Sequence, residues 1–131
     1  MLNCSIVTLS KKVFEGNITY MSAPGKVGEF GVLQDHENFI TTLDVGIVDI
    51  TAESGEEKKF LVIGGYFEVT ENNVIVIADE VYTSEDIDKA YAESNTNKFK
   101  DKLASLNFND EEYEKTKFAY AKYSNMLKLV S

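Results

Sequence analysis

The chain has 131 residues, enough for one compact domain or one small domain with an appendage, and too few for two ordinary domains. Its net charge of −9 argues against a nucleic-acid binder, and all 13 of its basic residues are lysines, so it lacks the bidentate arginine fork that phosphate sites favour. No apolar run approaches the roughly 18 residues of a membrane-spanning helix, which excludes direct insertion into a membrane by a helix.

The N-terminus, MLNCSIVTLSKKVF, has neither the basic-then-apolar layout of a secretory signal nor the Arg-rich character of a transit peptide. The chain is therefore expected to work in the compartment where it is made. Cys4 is the only cysteine, which excludes an internal disulfide; within a strand it reads as a small buried hydrophobe. Short segments rich in Val, Ile, Thr, Phe and Tyr follow in the order NCSIVTL, KVFEG, ITYMSA, FGVL, FITTL, GIVDIT, KKFLVI, YFEVT and NVIVIAD. Turn residues interrupt them roughly every eight to twelve positions, the spacing of an antiparallel sandwich or barrel. ESGEEKK (53–59) and TENN (70–73) read as hairpin tips.

All eight glycines and Pro24 lie within residues 1–65, and from Thr83 onward the pattern turns helical. The expected organisation is α+β: a flattened antiparallel β-sandwich over residues 1–82 and an antiparallel two-helix hairpin over 83–131. Charge divides at the same place, with 13 acids against 5 lysines in 1–82 and 9 against 8 in 83–131. Thr83 with Asp86 and Asn109 with Glu112 read as helix N-caps, each pairing a capping oxygen with an acid near the positive end of the helix dipole. Ile87, Tyr91, Phe99, Leu103 and Leu106 mark one face of the first helix, and Tyr113, Thr116, Tyr120, Ser124 and Leu127 mark one face of the second. Neither stripe is strong, which suits a hairpin that docks weakly or leaves.

Gly25, Gly28 and Gly31 have a rhythm superficially like that of nucleotide loops, but Lys26 is followed by Val27 rather than Ser or Thr, and no helix follows. Turns between strands explain these glycines. His36 would need an oriented nucleophile and acid to act as a general base; Ser22 and Asp35 are the available residues, and a structural or interface role is the simpler reading. One histidine and one cysteine are too few for a zinc site, and the acidic clusters lack calcium-loop spacing, so no catalytic, cofactor or metal residue is assigned. The second helix carries Tyr113, Phe118, Tyr120 and Tyr123 with Lys115, Lys117, Lys122 and Lys128, more aromatic surface than one small docking face needs, and its lysines suit an acidic partner.

In order, PGKVGEFGVLQDHENFITTLDVGIVDI (24–50) and GGYFEVTENNVIVIADEV (64–81) closely resemble the epsilon subunit of F-type ATP synthases. Pro24, Gly25, Gly28, Glu29, Gly31, His36, Gly46, Gly64, Gly65, Ala78 and Asp79 carry the resemblance, which extends over the whole chain because that family also ends in a two-helix hairpin. It implies a non-catalytic rotor subunit, peripheral on the cytoplasmic side of a bacterial inner membrane. Its sandwich would sit against the gamma subunit and on the membrane rotor ring of c subunits. Its hairpin would extend toward the alpha/beta catalytic head and impede ATP hydrolysis. On the matching positions, Gly28, Glu29 and Phe30 would face the ring, His36 would border the stalk interface, and Lys115, Phe118, Lys122 and Tyr123 would form the regulatory face of the hairpin.

Two departures stand out. Gln34-Asp35 replaces a Pro-Gly before His36, so that turn is built differently. The segment Ile87, Asp88, Lys89, Ala90, Tyr91 and Ala92 has tyrosine where ATP-binding members have arginine, which speaks against a bound ATP at the Asp88/Tyr91 region. The alternative reading is a free-standing β-sandwich that binds a small ligand under a helical cap; a hydrolase using His36 is a more distant one.

Overall fold

A computed structural model describes residues 1–131. Seven strands, β1 (Leu2–Val7), β2 (Lys12–Gly25), β3 (Gly28–Val32), β4 (Phe39–Thr42), β5 (Gly46–Ala52), β6 (Glu57–Thr70) and β7 (Asn73–Tyr82), precede two helices, α1 (Lys89–Ser105) and α2 (Tyr113–Val130). Nine expected segments become seven strands because two pairs fuse. KVFEG and ITYMSA join in the 14-residue β2, through a register shift between Ile18 and Tyr20, and KKFLVI and YFEVT join in the 14-residue β6.

The two long strands each serve more than one neighbour. β6 pairs with β5 through Glu57 to Val62, with β4 through Tyr66 to Val69, and with β7 along both halves. Gly64 and Gly65, at φ 71° and 117°, lie between those halves, where the glycines change the strand's course without ending it. A Cβ on Gly65 would fall 2.7 Å from the Ala78 Cα and closer still to the Ile77 carbonyl oxygen. β2 likewise pairs first with β1 and then with β5 and β3. The strand order is β1-β7-β6-β5-β2-β3, and a β1–β2 pairing links the two ends of the run from β1 to β2, so the sandwich is hydrogen-bonded into a ring that protects most strand edges.

Alternate side chains fill the interior. Leu2, Cys4, Ile6, Ile18, Met21, Val32, Val48, Ile50, Val62, Phe67, Val69, Val74 and Val76 are buried in one cluster that ends at Ala78 in the sequence, so the main core owes nothing to the helices. Cys4 is fully buried among them, as expected of a lone strand cysteine, and burial pushes its thiol up to about 12.

The hairpin packs on the outside of this sandwich. α2 lies on β5 and β6, and α1 packs on α2. A second cluster of Leu61, Ile63, Ala92 and Met126, flanked by Ile47, Ile87, Leu127 and Leu129, fills the seam. The hairpin has few buried residues, Ala92 and Thr96 on α1 and Thr116 and Met126 on α2, so it is thinly packed.

Neither expected N-cap starts its helix. Thr83 donates from N and Oγ1 to Asp86 Oδ2 at 2.8 and 3.0 Å, but the motif closes only a 3-10 turn over Ser84–Asp86, because Ile87 is extended. Asp88 caps α1 instead, accepting from the Ala90 and Tyr91 amides at 2.9 and 3.2 Å. Before α2 no side chain caps the helix: Glu112 holds the N-cap position and pairs with Lys102 of α1 instead, and the Asp110 carboxylate accepts from the Asn107 amide in the preceding turn at 2.7 Å.

Gly65→Ala tests the bend. The added methyl meets backbone at a φ that alanine avoids, so a loss of about 3 kcal/mol of unfolding free energy is expected in urea denaturation. An unchanged midpoint would show that β6 tolerates a side chain there.

Candidate interaction surfaces

The tip of the β2–β3 hairpin is a two-residue turn, Lys26–Val27, held to the rest of the sandwich by the Lys26 amide on the Thr42 carbonyl (3.3 Å) and the Asp44 amide on the Pro24 carbonyl (2.8 Å). Gly28 and Glu29 are exposed beside it, and Val27 is fully exposed at the apex. Phe30 points the other way, edge-on to Phe67 (4.8 Å between centroids) and Phe39 (5.4 Å), as strand alternation requires. The three residues of the sequence signal are therefore divided between surface and interior.

Glu29 lies near the end of α2. With Ser22, Ile47, Asp49, Lys59, Lys128 and Leu129 it lines a cleft of about 190 Å³. Burial, and then the Glu57 carboxylate, raise the Asp49 carboxyl above its ordinary value; Lys59 opposes the shift and Glu29 adds to it.

His36 belongs to a braced loop. Its Nδ1 is 2.7 Å from the Glu37 carbonyl oxygen, and its ring lies edge-on to Phe39. Neither Ser22 nor a carboxylate hydrogen-bonds to it, so the hydrolase reading finds no triad geometry. Asp35 takes the position of the absent glycine with φ 65°. Its amide donates to Asn72 Oδ1 at 2.7 Å, and the Asn72 amide group donates back to Asp35 Oδ1 at 3.2 Å. Glu71 and Asn72 both have positive φ, the signature of a tight hairpin turn of the primed type, and the loop is clasped to that turn.

The four hairpin residues also divide. Lys115 and Phe118 are exposed, whereas Lys122 and Tyr123 face the seam. Tyr123 stacks on Phe99 at 5.5 Å and meets Tyr91 edge-on at 5.8 Å, with the two hydroxyls 3.4 Å apart. Lys122 Nζ reaches Glu80 Oε1 at 3.4 Å, and the Tyr82 hydroxyl donates a short hydrogen bond to the same oxygen. Tyr82, Asp86, Ile87, Asp88, Tyr91, Lys122, Tyr123 and Met126 line the cleft there, about 180 Å³. That is below the roughly 300–1,000 Å³ of typical small-molecule sites.

One surface escaped the sequence reading. Ile75 and Ile77 of β7 are 40% and 47% exposed, and register sets them opposite Glu68 and Tyr66 of β6; Ile40 of β4 lies opposite Glu68. Ile40, Tyr66, Ile75 and Ile77 thus form an apolar stripe, interrupted by exposed Glu68 between Ile40 and Ile75, on the outer face that the hairpin leaves bare. The signal was the unbroken run VIVI at 74–77. A strand apolar on both faces expects a cover on both, and only Val74 and Val76 have one in this chain.

The sandwich is closed, and its exposed features are a bare apolar stripe, a braced loop and a helical arm docked on one face. Residues 1–84 match the family described as ATP synthase, Delta/Epsilon chain, beta-sandwich domain. An ATP synthase epsilon chain of Pelotomaculum thermopropionicum is 41% identical over 99 residues, covering 76% of this chain and 73% of that one. One from Teredinibacter turnerae is 32% identical over 114 residues, covering 87% and 81%. The fold matches a chain in the Euglena gracilis mitochondrial ATP synthase with a TM-score of 0.86 at 19% identity, over 99% of this chain and 81% of that one. A chain of the Tetrahymena thermophila mitochondrial central stalk and c-ring gives 0.56 at 18% identity, over 98% and 92%. The chain belongs to the delta/epsilon family of ATP synthase subunits. Such epsilon chains are parts of the complex and are not themselves catalytic.

The clasp at the seam has an alkaline signature. The hydrogen bond to Glu80, and then burial, raise the Tyr82 phenol from 10.0 to about 12, while the same bond is the main influence lowering Glu80. A raised folded value means a contribution present below the unfolded value and lost as pH rises through the folded one. In ultraviolet titration Tyr82 should ionise near pH 12, and Tyr82→Phe should remove that step. Loss of an early step instead would show that the bond does not persist in solution.

Proposed function

We propose that this chain is a central-stalk rotor subunit of an F-type ATP synthase, coupling the gamma subunit to the membrane rotor ring of c subunits during ATP synthesis. The observation that carries the proposal is the bare stripe of Ile40, Tyr66, Ile75 and Ile77 in a chain of the epsilon family. An apolar face of this kind needs a protein cover, and gamma is the partner that the family implies. The exposed tip at Gly28 and Glu29 is the part offered to the ring, and the loop at His36 borders the stalk contact. Phe30 supports the tip from inside rather than touching the ring. No helix is long and apolar enough to cross a membrane, consistent with peripheral attachment on the cytoplasmic side of a bacterial inner membrane.

The hairpin restrains hydrolysis by leaving the sandwich and extending toward the alpha/beta head, with Lys115 and Phe118 already outward and Lys122 and Tyr123 uncovered on release. Thin packing of the hairpin supports this reading. ATP is not its ligand: the cleft at Asp88 and Tyr91 is small, Asp88 is committed to capping α1, and the cleft has one cation against two carboxylates.

Calorimetry with purified gamma tests the stripe. Ile77→Glu is expected to weaken binding at least tenfold, about 1.4 kcal/mol, with thermal unfolding unchanged. Wild-type affinity in the variant would move the contact elsewhere, and in the same instrument ATP at micromolar concentrations should give no heat of binding. Ending the chain after Tyr82 leaves the main core whole and is expected to raise the ATPase activity of the assembled complex. Unchanged activity would argue that this hairpin does not inhibit.

A further inference from the structure

The seam between hairpin and sandwich is apolar over β6, with charged groups at the Lys122 end and at the Lys128 cleft, the latter crossed by no hydrogen bond or ion pair. Leu61 and Ile63 of β6 meet Ala92 and Met126, with Ile47, Leu127 and Leu129 around them. Such a surface tolerates sliding and gives no preference for one register, whereas a hydrogen-bonded charge fixes it. The only hydrogen bond or ion pair joining residues 89–130 to the strands is Lys122 Nζ to Glu80 Oε1, at 3.4 Å.

The surroundings make that contact a seat for one cation. Lys122 Nζ lies 5.8 Å from the ring centroids of both Tyr82, on β7, and Tyr123, on α2, and two aromatic faces favour an ammonium group. Tyr82 donates its hydroxyl to the same Glu80 oxygen and so holds that carboxylate in place. The two other nearby acids are spent on backbone donors: Asp86 accepts from Thr83, and Asp88 from the Ala90 and Tyr91 amides. Glu80 is the carboxylate left for Lys122. The Lys122 side chain is 22% exposed and that of Glu80 43%, so the pair is partly screened by solvent, chiefly from the carboxylate side.

We propose that the Lys122 ammonium, seated between Tyr82 and Tyr123 on the Glu80 carboxylate, is the internal latch that keeps the hairpin docked in register. The proposal rests on the reading that the hairpin leaves the sandwich. The charge on one side chain then sets the balance between the docked and released states.

The test uses the full chain with nitroxide labels at Glu56→Cys on the sandwich and Ala104→Cys on α1, both exposed; buried Cys4 stays unlabelled. Pulsed dipolar spectroscopy then reads the docked and released populations. Lys122→Gln and Glu80→Gln are each expected to raise the released fraction roughly two- to fivefold. The exchange Lys122→Glu with Glu80→Lys should return it toward wild type, which a purely packing role would not predict. Met126→Ala, which opens the apolar seam, separates the two ideas. If it releases the hairpin while both charge variants stay docked, the latch is wrong and the mobile hairpin stands. If all four chains stay docked, the mobile hairpin fails and the latch with it. An exchange variant released as much as Lys122→Gln and Glu80→Gln also overturns the latch.

Discussion

At Gly65 the backbones of β6 and β7 come so close that no side-chain carbon fits, and the architecture follows from that approach. With Gly64 it lets one strand run the length of the molecule while pairing with β5 in its first half and β4 in its second. Around the bend, Phe60, Val62, Phe67 and Val69 still point inward, so one core continues through it. The outward residues fall on two separate areas. Leu61 and Ile63 form the seat of the hairpin, and Tyr66, beside Ile75 and Ile77, forms the bare stripe. A straight strand would have presented one continuous outer surface.

The two unbroken apolar runs of the sheet differ in what covers them. In FLVI, at 60–63, the inward residues belong to the core and the outward ones lie under α2 and α1. In VIVI, at 74–77, the inward residues belong to the core and the outward ones meet nothing in this chain. The same local pattern is therefore covered within the chain in one place and left exposed in the other.

Much of this was legible from residues. Period-two alternation, turn chemistry and the loss of glycine after residue 65 indicate a sandwich followed by two helices. Strand fusion was not legible, because Gly64-Gly65 reads locally as a break and only pairing on both sides shows that it is a bend. The cap at Thr83 was misread because its local chemistry is sound, yet extended Ile87 stops the turn from growing into α1. Among the site residues, Gly28 and Glu29 are surface features, as their turn-rich context suggests. Phe30 is not, and alternation alone could have indicated its inward course. The division of Lys115 and Phe118 from Lys122 and Tyr123 depends on how α2 rotates over β6, a tertiary fact that a weak stripe does not encode.

The hairpin seat has a kinetic consequence. Were α2 to lift away, it would uncover Leu61, Ile63 and Ile47, a patch of β surface apolar enough to recruit any hydrophobic segment within reach. A free molecule in that state would reclose or self-associate, so any release would be brief in solution. It would become long-lived only where another surface waited to accept the parted helices or to shield the strand they leave. The fold would thereby tie the lifetime of an open form to the company it keeps.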